Sequence, residues 1–223
     1  MFLKYHYDLQ PQDLLRLESP FFAAVAFKKL AIVLILLSLV GCSSISVHDQ
    51  TEAWRFQVAA PKHYDVWVEH LRFERSGERH WSHPVGYLGC CWQGPDGPAG
   101  VSGRLDLFPD YVALQWFSFA EQKYYQRLIV IPPGWKEKMK EPAQVITNID
   151  VRMVPRRTLT FGLAPGGEIV AWMKSQIGNE VELARFQANE LDRDPDIYRV
   201  NTEEYLEQHG DFLDQHGIPT SGW

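Results

Sequence analysis

Histidine and cysteine crowd into one stretch of the chain: His80 and His83 precede the adjacent Cys90 and Cys91, with His63 and His70 upstream. Thiolate and imidazole are zinc ligands. These spacings match no finger or zincin, however, and adjacent cysteines seldom both ligate one tetrahedral ion. The histidines therefore read as loop residues near Trp81 and Pro84, and neither a metal nor another cofactor is expected. Serine hydrolase chemistry needs Gly-x-Ser-x-Gly to lift the nucleophile on a strained turn. The nearest match, Gly100-Val101-Ser102-Gly103-Arg104, lacks the last glycine and reads as a flexible loop. Gly94, Gly97, Gly100 and Gly103 lie among prolines with no amphipathic helix behind them, which excludes a phosphate-cradling loop. No catalytic set emerges, and the chain reads as a non-enzyme.

Two features read as contacts for a protein partner. Asp192, Asp194 and Asp196 form the densest acidic group, inside Leu191-Asp192-Arg193-Asp194-Pro195-Asp196. That composition is a solvated turn, or a surface that meets lysine and arginine on a partner and speeds association. Trp92 enters Gln93-Gly94-Pro95-Asp96-Gly97-Pro98, where packing from two sides is not expected. It is either a loop anchor or an interface hot spot.

The third cysteine, Cys42, carries a different chemistry. Lys28 and Lys29 precede the apolar run Leu30 to Val40, and Leu39-Val40-Gly41-Cys42 has the form of a lipobox, with a small residue before the cut and a thiol that receives diacylglycerol. The uninterrupted run is shorter than the roughly 20 apolar residues of a spanning helix. Residues 1–41 thus read as a signal segment, with a start after residue 27 or so as an alternative. Residues 42–53 read as a lipidated tether. Ser43 in place of aspartate favours the outer membrane, facing the periplasm. Several acyl chains on one cysteine suffice for stable anchoring. Cleavage removes Lys4, Arg16, Lys28 and Lys29 with Asp8, Asp13 and Glu18, so the mature chain is one unit more acidic than the precursor at -6. Such a balance argues against nucleic acid or anionic lipid as a partner and suits a basic protein. In an oxidising compartment the remaining Cys90-Cys91 pair is either two buried thiols or a vicinal disulfide. It cannot staple distant strands.

The elements that would position these residues are mostly strands. Trp54 to Val58 alternates, Tyr64 to Phe73 alternates with a phase slip near His70 that predicts a bulge, and Tyr111 to Phe117 and Tyr124 to Ile131 are rich in β-branched and aromatic residues. Thr158 to Leu163 and Glu168 to Met173 flank Ala164-Pro165-Gly166-Gly167 as a hairpin, with Val181 to Phe186 beside it. A short helix is expected over Gly134 to Glu141. A second is expected to open at Thr202 as N-cap and to divide into two short turns at Gly210 and Gly217. The expected architecture is a β-rich domain over residues 54–200, an antiparallel β-sandwich or half-open barrel with one or two short helices, and a helical tail over 201–223.

Several blocks resemble one family, the bacterial lipoproteins grouped as domain-of-unknown-function family 2931. They are Trp54-Arg55-Phe56 through Ala60-Pro61-Lys62, Val66-Trp67-Val68-Glu69, Pro84-Val85-Gly86 leading to Cys90-Cys91-Trp92, Trp116-Phe117-Ser118 with Glu121-Gln122, and Gly162-Leu163-Ala164-Pro165-Gly166-Gly167. The resemblance implies a membrane-held periplasmic lipoprotein. It also implies an immunity protein that binds a phospholipase effector of type VI secretion, since members lie beside such effectors. The alternative is a cell-envelope structural or assembly lipoprotein that binds another outer-membrane component.

Overall fold

Strand β1 (Trp54–Pro61) shows how the sequence sorts its side chains: Trp54, Phe56 and Val58 are buried, while Arg55 is exposed and Gln57 half-buried. Period-2 alternation of this kind gives a strand one core face. The computed structural model describes residues 53–89, 91, 92 and 100–223, all within one unit, Gln50–Trp223. The signal segment, Cys42, most of the tether and Cys90 lie outside the described residues.

Two six-stranded sheets form the domain. In the first, β13 (Val181–Gln187), β12 (Glu168–Lys174), β11 (Thr158–Ala164) and β1 follow in that order, and β5 (Cys91–Trp92) and β6 (Val101–Leu105) share the far side of β1. In the second, β14 (Asn189–Leu191), β8 (Lys123–Val130), β7 (Tyr111–Ser118) and β2 (Val66–Arg75) are flanked by β3 (Arg79–Ser82) and β4 (Gly86–Leu88). Most pairs are antiparallel, but β1 runs parallel to β11 and β5. Of the two expected architectures, the sandwich is the one formed. Its core joins Phe56, Phe161 and Ile169 of the first sheet to Leu71, Phe73, Trp116 and Ile129 of the second. Phe56 meets Phe73 at 4.9 Å between ring centroids. Each such side chain contributes about 1.5–3 kcal/mol when fully buried.

The expected hairpin is β11–β12, turned through Pro165–Gly167, where Gly166 and Gly167 hold φ of 77° and 73°. The expected bulge is also present: β2 and β7 slip register between Val68 and His70. The short helix is α1 (Gly134–Lys140).

Three local expectations are corrected, and one element was not expected. Residues 101–105 are a strand on β1 rather than a flexible loop. Gly103 permits this, because a Cβ there would come 2.3 Å from Cε1 of Phe56. The tail forms one helix, α2 (Arg199–His216), that passes through Gly210 and ends at Gly217. A mid-helix glycine costs about 1 kcal/mol, and burial of Tyr205 with the packing of Leu213 on the second sheet outweighs it. Thr202 lies buried inside this helix and is not its N-cap. Finally, β9 (Pro142–Ile146) and β10 (Val151–Pro155) make a separate two-stranded hairpin that the pattern did not announce, because one of its faces is left apolar and exposed.

Candidate partner-binding face

Among the described residues, the outer face of the second sheet is covered at one end only. Across neighbouring strands Tyr87, Trp67, Phe117 and Tyr124 stand in register, with Leu191 of β14 opposite Tyr124. Tyr198 stacks on Phe117 with centroids 4.9 Å apart, and Tyr205 of α2 stacks on Phe119 at 5.5 Å. These rings fix the start of α2 against the sheet.

The bulge sets the border of this cover. Glu69 is the extra residue between the pairs Val68–Trp116 and His70–Gln115, and so has no partner strand residue. Its carboxylate accepts from Gln115 Nε2 at 2.6 Å, from the Tyr198 hydroxyl at 3.1 Å and from the Arg193 guanidinium. Burial pushes the Glu69 carboxyl up, but the three donors prevail and hold it below the usual range. Arg193 also lies 4.2 Å over the Tyr124 ring, a cation–π contact. Beyond Glu69 the sheet face is open. A groove of about 700 Å³ crosses the strands there, lined by Glu69, Arg72, Gln115, Gln126, Leu128 and Asn189 among others.

The acidic turn borders the same region. Burial alternates along it: Leu191, Arg193 and Pro195 are half-buried, while Asp192, Asp194 and Asp196 are all exposed. The i, i+2, i+4 spacing therefore sends the one base inward and the three acids outward. Asp194 has a structural task as well, since its Oδ1 accepts from the Asp196 amide at 3.0 Å and caps a 3-10 turn over Pro195–Tyr198. Trp92 is placed differently. Its ring is 3% exposed and packs edge-on against Trp172 at 4.9 Å and beside Trp223 at 6.0 Å, on the outer side of the first sheet. A side chain so covered anchors its strand and offers almost no surface to a partner.

A second cluster was not legible in the sequence. Asp65 is 1% exposed, and its Oδ2 accepts from the Tyr87 hydroxyl and lies 3.3 Å from His209 Nε2 on α2. The Nδ1 of His209 lies 3.3 Å from that of His63, so one imidazole must donate and the other accept. Tyr205 donates to the His63 carbonyl at 2.7 Å. Burial raises the Asp65 carboxyl above its ordinary value, against the lowering pull of Tyr87 and His209. Burial, then Lys62 and His209, depress His63. His63 also holds a φ of 72°, rare for a side chain with Cβ. The chain of groups can pass a proton between a buried carboxylate and the surface. It also ties α2 to the loop before β2. Of the other histidines, His80 is exposed, and His83 lies 4.4 Å from the Phe56 ring. Among the described residues no three ligating side chains converge on a metal position.

Residues 43–221 match the family described as protein of unknown function, DUF2931. The chain belongs to that family. No curated protein and no solved structure matches it. The DUF2931 match takes in the Glu69 bulge, the acidic turn, the Asp65 cluster and all of α2, so these features lie inside the family domain.

Proposed function

We propose that this DUF2931 protein is a lipoprotein anchored through Cys42 and facing the periplasm, where it binds a phospholipase toxin of type VI secretion and blocks it as an immunity protein. The observation that carries the binding role is the open groove on β2, β7 and β8, with Glu69 fixed at its border by Gln115, Tyr198 and Arg193. Side chains already held in place lose little entropy on binding, which favours tight association. The outward carboxylates of Asp192 and Asp196 would speed encounter with a basic partner. A lipid anchor would keep the inhibitor at high local concentration beside the phospholipid that such a toxin attacks. The resemblance of the sequence to lipoproteins lying beside phospholipase effectors supports the choice of toxin.

The decisive experiment expresses a neighbouring phospholipase in the periplasm with and without this chain. Rescue of growth, together with an isolable complex, is the expected result. Gln126→Arg with Leu128→Arg, both exposed on the outer face of the sheet, should abolish the complex while leaving the fold intact. Neither rescue nor complex rejects the immunity role. Capture of an outer-membrane component with the lipase left fully active would assign the envelope-assembly role instead.

A further inference from the structure

The hairpin β9–β10 leaves large apolar side chains uncovered. Its register pairs Ile146 with Val151 and Gln144 with Met153, so Ile146, Val151 and Met153 share one face. They are 58%, 59% and 62% exposed, and Ile149 at the tip is 94% exposed. The Gln176 side chain clamps both backbone groups of Ile146, at 2.9 and 2.7 Å, and brings the exposed Ile177 alongside. The tip itself is well built. The Thr147 amide donates to the Asp150 carbonyl at 2.9 Å, and the Asp150 amide returns to Thr147 Oγ1 at 3.0 Å. Apolar surface concentrated on one ordered finger marks an interaction site.

The charges around it indicate the partner. Although the chain is acidic overall, residues 134–157 carry Lys136, Lys138, Lys140, Arg152, Arg156 and Arg157 against Glu137, Glu141 and Asp150. The lysines are on α1, which leads directly into β9, and the arginines lie in or just after β10. Asp150, the one acid at the tip, is answered by Thr147 Oγ1 and by Arg152 Nε at 3.9 Å. Lys140 pairs with Glu137 and the half-buried Arg156 donates to the Asn179 carbonyl, which leaves the exposed Lys138 on α1 and Arg152 on β10 as the core of a basic collar; with the apolar tip it matches the two layers of an anionic bilayer, acyl chains below and phosphate above.

We propose that the β9–β10 hairpin is a membrane-docking finger that seats Ile146, Ile149, Val151 and Met153 in the surface of an anionic phospholipid bilayer. The net negative charge of the chain does not forbid this, because surface attraction decays within a Debye length of about 8 Å and is decided by the local collar. The finger needs no acyl group. If the chain is also lipidated, it would orient the domain on the membrane.

Hydrogen exchange of the full chain tests the finger directly, with phosphatidylcholine vesicles compared with vesicles in which one lipid in four is phosphatidylglycerol. The tip amides of residues 147–151 should exchange about tenfold more slowly with the anionic vesicles, and the protection should fade in high salt. Ile149→Asp with Met153→Asp should remove that protection while exchange in β7 and β11 is unchanged, since both side chains are solvent-exposed. Arg152→Gln should weaken vesicle binding by roughly fivefold, as for loss of one basic group near an anionic surface. Equal exchange with both vesicle types overturns the proposal, as does protection that appears only when a protein partner is added. Cys42→Ser separates the two membrane ideas: it should change how much chain is bound if the anchor is real, without changing the hairpin pattern.

Discussion

Arg193 reaches Glu69 across 124 residues of sequence, joining the acidic turn to the bulge of β2. Glu69 keeps little exposure at 13% of its side chain, so its carboxylate depends on its donors. Arg193→Met should destabilise the fold by about 1–3 kcal/mol, the usual loss for a charged hydrogen-bonding group left short of a partner. The urea midpoint reads this. Because the folded carboxyl is depressed, its contribution is full above the unfolded value of about 4.3 and is lost as pH falls through the lower folded value. Glu69→Gln should flatten stability across that acid window, and an unchanged slope would refute the role.

The Asp65 and His63 shifts act in opposite directions along the pH axis. His63 is depressed in the fold, so its part of the stability is full above about 6.5 and is lost as pH falls through the folded value. Asp65 is raised, so its part is full below about 3.9 and is lost as pH rises through the folded value. Tyr87, His209, Tyr205, Lys62 and His216 surround the pair and remain in place in both tests. In denaturation series from pH 4 to 8, His63→Gln should remove the loss on acidification, and Asp65→Asn should remove the loss on the alkaline side of its window.

Glycine supplies a paired test of packing. At Gly103 a Cβ would strike Phe56, so Gly103→Ala should cost about 1–3 kcal/mol through overpacking. At Gly210, inside α2, nothing lies within 4 Å of the added Cβ. Gly210→Ala should therefore stabilise by about 0.5–1 kcal/mol. Melting temperatures should move in opposite directions, and a loss at Gly210 would mean that α2 needs its flexibility there.

Those glycines also show where sequence reading succeeds. Pro165-Gly166-Gly167 announces its hairpin because the turn chemistry is local, and the phase slip at His70 announces the bulge because alternation is local. Gly210 misleads for the reverse reason: its local cost is overruled by rings of the second sheet that the helix covers. The β9–β10 hairpin shows no alternation in sequence, because its exposed face of Ile146, Val151 and Met153 is as apolar as the inner face of Ala143, Val145 and Val154. The Asp65–His209 pairing carries no local signal, since its groups come from the loop before β2 and from α2; His63 and His209 alone are 146 residues apart. Trp92 looks exposed from its loop, yet Trp172 and the distant Trp223 bury it.

The acidic turn gives the sharpest functional prediction. Asp194 is committed to its cap, whereas Asp192 and Asp196 are exposed and can be reversed without removing that bond. Asp192→Lys with Asp196→Lys should leave the melting temperature within about 1 kcal/mol equivalent of the parent, as for surface changes away from packed features. If the turn faces a basic partner, the association rate should fall by about tenfold or more and lose most of its salt dependence, with dissociation little altered, because rim charges act on encounter. Stopped-flow or surface-binding kinetics against the phospholipase proposed above as partner separates the two rates. An unchanged association rate would leave these aspartates as a solvated turn whose work is done by Asp194 and Arg193, and would confine the interface to the groove beside Gln115.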